Sequence, residues 1–241
     1  MGCTLGRRAG SLLMGAGLLG AAVLGGAPAF AIPEAAAIKK LEVIPVFVIT
    51  DEKGVPLPIP KDNTLILPLY LERSKAQSEL AGIQKNNPKL KAGVVGIPLN
   101  VMNDKVLELN KQLKDKSKKL VAPVVVNPSD RQEAIKLLKA QGLTDQQINE
   151  GLSVPVFFTK PFLTVQTPEG PRGVFFFSYA ELQKGLAKVP NRDQLKPQVA
   201  DLSAVLREII KAKDDSYVIF PTPDYFRLVQ ENQGKGTPAA K

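Results

Sequence analysis

The sequence predicts an α+β protein built from two pseudo-symmetric repeats, each β-β-α-α-β-α, forming one compact molecule with hydrophobic grooves. Three observations point there. The apolar segment Ile44-Pro45-Val46-Phe47-Val48 recurs as Val154-Pro155-Val156-Phe157-Phe158. The segments after each copy come in the same order. Hydrophobic spacing switches between short continuous apolar runs, which read as covered strands, and the 3.6-residue period of amphipathic helices.

The first 31 residues stand outside this pattern. Arg7 and Arg8 form a basic start, residues 9–26 are almost wholly small or apolar, and Ala29-Phe30-Ala31 is a small-x-small site. This is the pattern of a secretory signal peptide cleaved after Ala31. The competing reading, a membrane anchor, fits less well because the run is Gly-rich, short for a span and followed by the cleavage pattern. Cys3 precedes the apolar stretch, which argues against a lipoprotein. Without this leader the chain holds 210 residues, no cysteine, and a net charge of +7 from 30 basic and 23 acidic residues. It can form no disulfide, although export would permit one. The charge favours acidic partners or anionic membrane surfaces; nucleic acid is not an expected partner of an exported chain. No later apolar run approaches a span, so a soluble protein is expected.

The first repeat is expected over residues 32–141. Its strand at 44–48 is followed by a turn from Asp51 to Pro60 and a second strand, Leu65 to Leu71. A helix over 74–85 and a longer one over 102–119 come next. Then Val124-Val125-Val126 leads through Asn127-Pro128 into a helix at 131–141. A linker is expected at 142–151. The second repeat, 152–233, offers strands at 154–158 and 174–177, helices at 180–188 and 202–213, a strand at 218–220 and a last helix at 225–233. Residues 234–241 read as a flexible tail. Matching positions lie 110, 106, 105 and 94 residues apart, so the register drifts by deletions in loops. Ser74-Lys75-Ala76-Gln77 and Ser129-Asp130-Arg131-Gln132 have the form of capping boxes. Leu202, Val205, Leu206, Ile209 and Ile210 follow i, i+3, i+4, i+7, i+8, one face of a helix.

Catalytic chemistry is poorly provided for. The chain has no His and no Trp, and its one Cys is Cys3. Ser-His-Asp and Cys-His catalysis, imidazole bases and His-ligated zinc are thereby excluded. No Gly-x-Ser-x-Gly elbow and no Ser-x-x-Lys dyad occur. Gly234-Lys235-Gly236-Thr237 lacks the upstream glycine of a phosphate loop. The adjacent carboxylates Asp51-Glu52 and Asp214-Asp215 fall at a turn and a helix end, where they are simply solvated. The expectation is a protein that is not an enzyme, with no cofactor and no metal.

Two other features carry functional readings. Lys111, Lys114, Lys116, Lys118 and Lys119 cluster around Asp115. They form either a docking surface for an acidic partner or lipid head groups, or a solvated helix end with cations at the negative pole of its dipole. Eight of the nine phenylalanines beyond the leader follow Gly151. Phe175, Phe176 and Phe177 cannot share one face of a strand, because side chains alternate. Either both faces are covered or one is an open apolar surface. Leu69, Leu71, Phe175, Phe177 and Phe226 are the candidate contacts of a polypeptide-binding groove, each equally plausible as core. If they do line a groove, Phe175→Asp or Phe177→Asp would abolish binding and leave the fold intact.

Taken together, [IV]-P-V-F repeated, followed by Leu67-Pro68-Leu69-Tyr70-Leu71-Glu72-Arg73-Ser74-Lys75-Ala76 or Val174-Phe175-Phe176-Phe177-Ser178-Tyr179-Ala180-Glu181-Leu182, resembles the Tic22-like family. Its members are intermembrane-space components of chloroplast protein import and their cyanobacterial periplasmic homologues. The resemblance runs from about Leu41 to Gln230, and order, spacing and duplication carry it rather than any one motif. It implies a pseudo-symmetric α+β fold with hydrophobic pockets and chaperone-like (holdase) binding of precursor polypeptides. It also implies a role in outer-membrane biogenesis, with unfolded outer-membrane precursors and Omp85-type assembly proteins as partners. The short leader fits a cyanobacterial periplasmic protein, with a thylakoid-lumen pool as the alternative. The rival function is a structural adaptor that bridges membrane-bound assembly machinery through the lysines and holds no client.

Overall fold

The computed structural model describes residues 32–212 and 214–234. The expected signal peptide, Lys213 and the tail from residue 235 lie outside the described residues. From the start, α1 (Glu34–Lys39) runs through a 3-10 turn (Lys40–Val43) into β1 (Pro45–Asp51). A small hairpin of β2 (Ile59–Lys61) and β3 (Thr64–Ile66) precedes β4 (Leu69–Tyr70) and α2 (Arg73–Asn86). Then come β5 (Ala92–Pro98), α3 (Leu99–Gln112), β6 (Lys119–Val121), β7 (Val124–Val125), α4 (Pro128–Ala140) and α5 (Asp145–Gly151). The rest is β8 (Pro155–Lys160), β9 (Thr164–Thr167), β10 (Gly170–Phe175), α6 (Tyr179–Leu186), β11 (Lys196–Asp201), α7 (Leu202–Lys211), β12 (Tyr217–Ile219) and α8 (Pro223–Gly234). The class is α+β, as expected.

The strand order differs from expectation. A strand stands between the paired helices in each half, β5 in one and β11 in the other, so the main elements run β-β-α-β-α-β-α. Both were hidden because Ala-Gly-Val-Val-Gly-Ile-Pro and Lys-Pro-Gln-Val-Ala-Asp carry the Gly and Pro of a turn. β1 lies between β5 and β4, antiparallel to both, and β4 runs parallel to β7, giving the order β5-β1-β4-β7. In the other half, β8 is antiparallel to β11 and bridges β10 through Phe157 and Phe176; β10 runs parallel to β12 and antiparallel to β9.

Several boundaries move for physical reasons. The strand expected over 65–71 is broken at Pro68, which has no N–H for a ladder. The chain still follows residues 120–125: Leu67, Leu69 and Leu71 donate to the carbonyls of Val121, Pro123 and Val125. Neither expected capping box forms. α2 begins at Arg73, before Ser74, because Asp224 supplies the acceptor for the Arg73 N–H. α4 begins at Pro128, whose fixed φ suits a first helical position, with Asn127 as the cap accepting from the Ser129 N–H. Thr144 with Gln147 does form a capping box, at the start of α5. The segment expected as a linker is therefore helical, and its Ile148 is buried in the core.

The two halves interlock. One core cluster draws Val46, Leu69 and Leu71 from the first half together with Val154, Phe175, Phe177 and Ile209 from the second. Ala134 and Leu138 of α4 pack beside Phe157 and Val199 of the second half. Leu228 of α8 packs beside Phe47, Tyr70 and Leu80 of the first. Each half's last helix thus covers the other half's sheet.

Candidate functional site

Four of the five expected groove contacts, Leu69, Leu71, Phe175 and Phe177, are buried. Phe175 is 2% exposed and meets Phe158, Phe162 and Tyr217 with ring centroids 5.3–5.5 Å apart. The three consecutive phenylalanines are covered on both faces, because Phe175 and Phe177 face the shared core and Phe176 the second-half core. Leu69 and Phe175 are core, and Phe175→Asp would unfold the protein. Leu71 and Phe177 also line a central cleft, whereas Phe226 is 49% exposed on α8 and stacks edge-on against Tyr225.

The lysines are all exposed, but not as a helix end. α3 stops at Gln112. The Asn110 side chain bonds both the N–H (2.8 Å) and the carbonyl (2.9 Å) of Leu120, pinning the returning chain as β6 against the last turn. Only Lys111 lies in the last turn of α3; Lys114, Lys116 and Lys118 lie in the loop after it, and Lys119 opens β6. Lys116 donates to the Lys111 carbonyl at 2.8 Å, and Lys118 lies 3.9 Å from Asp115.

Two recesses stand out. The central cleft, about 280 Å³, lies where α2, α4, α6 and α8 all begin. Asp130 of α4 accepts the Tyr179 N–H (2.8 Å) at the start of α6, and Asp224 of α8 accepts the Arg73 N–H (3.1 Å) at the start of α2. Each carboxylate satisfies a free helical donor in the opposite half and favours the positive end of that helix dipole. Burial pushes the Asp130 carboxyl above the usual carboxylate range, and nearby Glu72 adds to it. Glu72 is itself held by the Asn127 amide at 2.5 Å. The cleft is a polar joint between the halves.

The second recess is apolar. It measures about 490 Å³ and lies between α2 and the segment carrying β2. Leu57, Ile59, Leu67, Tyr70, Ile83 and Leu90 line it, with Glu79 at the edge. Burial first, then the Glu79 carboxylate, raises the Tyr70 hydroxyl pKa above its ordinary value. The wall opposite α2 is set by a tight turn. Asp51 Oδ1 accepts the Lys53 and Val55 N–H groups at 2.8 Å each, and Gly54 adopts φ +78°, which a residue with a Cβ rarely takes. The Leu57 N–H then donates to the Ile49 carbonyl at 3.0 Å. This leaves Ile59 51% exposed at the rim. Residues 55–60, Val-Pro-Leu-Pro-Ile-Pro, read as a plain turn in the sequence. Their signal was the alternation of apolar residues with prolines, which holds the segment extended.

Among the described residues no helix is long and apolar enough to cross a membrane, and no His, Cys, Asp or Glu group is arranged to hold a metal.

A family model described as the Tic22-like family matches residues 17–231. A solved structure of Anabaena Tic22, described as protein transport, superposes with a TM-score of 0.66 at 21% identity, covering 87% of this chain and 100% of that one. Tic22 from Plasmodium falciparum superposes with a TM-score of 0.64 at 18% identity, covering 83% of this chain and 98% of that one. No curated protein matches.

Proposed function

From the premise that the chain belongs to the Tic22-like family, we propose that it is a protein-transport factor that holds extended, apolar stretches of precursor polypeptides in the recess between α2 and β2. The observation that carries this is the apolar lining of that recess, with Ile59 exposed at its rim. Monomeric proteins rarely leave a large apolar surface without a partner. Burying roughly 200 Å² of client surface there gives about 5 kcal/mol at about 25 cal/mol per Å², before the cost of association. The net result is weak, reversible holding, which suits a carrier that must release its load.

The wider reading has the protein exported to the periplasm and acting in outer-membrane biogenesis. Its clients are unfolded outer-membrane precursors, its docking partners are assembly proteins of the Omp85 type, and it catalyses no reaction itself. The description of Anabaena Tic22 as a protein of protein transport supports the transport part. We further read the two halves as copies of one unit. What supports this is the same neighbour relation in each: β1 between β5 and β4, β8 between β11 and β10, and the reciprocal contacts of Asp130 and Asp224.

The adaptor reading has its own observation, the exposed lysine loop from Lys111 to Lys119, suited to an acidic partner or to peripheral contact with anionic lipid. One assay separates the two. A denatured outer-membrane barrel protein is diluted into buffer with and without this protein. Suppressed aggregation at near-equal molar ratio, retained at high salt, is expected of apolar holding. No suppression would move the function to the lysine loop, whose binding would weaken steeply with salt.

A further inference from the structure

We propose that the outer edge of β5 receives an extended strand of the client through main-chain hydrogen bonds, an inference that rests on the client-holding reading above. β5 is the edge strand of its sheet, joined on one side only, to β1. Its open groups can be assigned. The Leu99 N–H donates to the Ile44 carbonyl, so in the antiparallel register that follows, Ile97, Val95 and Gly93 bond to Val46, Val48 and Thr50. The intervening β1 residues turn the other way: Phe47 pairs with Tyr70, the Ile49 carbonyl accepts from Leu57, and the Asp51 N–H donates to Val55. Val94 and Gly96 therefore direct both N–H and C=O away from β1. No other segment among the described residues bonds them.

Edge strands of this length are ordinarily blunted by charge, proline or cover. β11, which flanks β8 as β5 flanks β1, is blunted. Its outward positions are Pro197, Val199 and Asp201. Pro197 has no N–H and its carbonyl is taken by Gln198, while the Asp201 side chain is occupied by the N–H groups of Ser153, Val154 and Ser203. β5 carries no charge along its length; of its outward positions, the Ala92 carbonyl accepts from the Gln84 amide and Pro98 has no N–H, which leaves Val94 and Gly96 open between them. Val95, which alternates with them, is 40% exposed. Groups of this kind, repeating about 6.8 Å apart along a strand, are matched by an extended backbone. The strand also leads to the apolar recess, since Ile49, the β1 partner of Val94, and Leu90, just before β5, both line it. A client strand is favoured over a second copy of this chain, because the formal net charge of +9 opposes self-association and Lys89 and Lys91 stand exposed at the start of β5.

The test is amide exchange on the full chain with a synthetic peptide, Glu-Thr-Val-Thr-Val-Thr-Val-Glu, and with the same peptide N-methylated at alternate residues. Exchange at Val94 and Gly96 is expected to slow about tenfold with the plain peptide, as open amides become bonded. Val95 and Ile97, already bonded to β1, should not change, and the methylated peptide should have no effect. Val94→Pro removes an outward N–H without touching the β1 ladder and should abolish the protection at Gly96. If that variant misfolds, exchange in the unmodified chain still decides. Unchanged exchange at Val94 and Gly96 overturns the proposal, and if aggregation of a barrel protein is still suppressed, the holding function survives without it. Protection present without peptide and rising with protein concentration would assign the edge to a second copy and overturn it as well. Protection by the peptide without suppressed aggregation would keep the edge site and remove the holding function.

Discussion

Phe175→Ala should cost far more than any truncation on the surface, and the size follows from the packing. The ring is 2% exposed and sits among Phe158, Phe162 and Tyr217, with centroids 5.3–5.5 Å away. Truncation removes the buried ring and leaves a cavity that the interlocked halves cannot easily close, which places the loss at about 4 kcal/mol within the usual Phe→Ala range. For a protein of this size that lowers Tm by roughly 8–16 °C. Phe226→Ala is the control. That ring is 49% exposed and meets Tyr225 alone among the described aromatic side chains, so about 1 kcal/mol or less is expected. Thermal and urea melts followed by circular dichroism measure both. A Phe175→Ala protein melting within about 3 °C of the parent, well short of the range such a loss implies, would refute the placement of this ring in the core.

Asp201→Ala should lose about 2 kcal/mol at pH 7, because its carboxylate accepts from Ser153, Val154 and Ser203 at 2.8–3.0 Å. Burial works against that carboxylate, but the hydrogen bonds hold its pKa below the usual value, so its contribution is present above that value and is lost as acid protonates it; a urea titration at several pH values reads this. Asp130 has the opposite sign. Its folded pKa is raised, chiefly by burial, so the folded state keeps a proton the unfolded chain has released, and stability falls as pH rises through the folded value. Asp130→Asn keeps an acceptor for Tyr179 and should abolish that fall when its melts are compared with the parent's across acid pH. The triple change Lys114→Glu, Lys116→Glu, Lys118→Glu should alter stability by no more than about 0.5 kcal/mol, since these side chains are exposed, and should leave the suppression of aggregation unchanged.

The sequence made the class, most helices and the corresponding strands β1 and β8 legible, because continuous apolar runs and a 3.6 period are local signals. It missed β5 and β11, whose Gly and Pro residues look like turns and whose strand character comes from pairing with β1 and β8. Helix starts were misplaced where the cap comes from far away: nothing near Arg73 announces that Asp224 supplies its acceptor. Core and lining could not be told apart for a related reason. Leu69 and Phe175 are as apolar as any lining residue, and only the other half of the molecule, packed against them, makes them core. Ile59 was passed over because an exposed turn with prolines is ordinarily solvent, and it becomes a rim only when α2 stands opposite.

The central claim, that the recess beside Ile59 holds the client, is tested most directly by site-specific crosslinking. Cys3 is the only cysteine in the chain, and the expected cleavage after Ala31 removes it. A single cysteine placed by Ile59→Cys can then carry a photoreactive group, with Lys116→Cys as the comparison. Crosslinks to an unfolded barrel protein are expected from position 59, undiminished at high salt, and none above background from position 116. Crosslinks from position 116 alone, fading as salt rises, would contradict that claim.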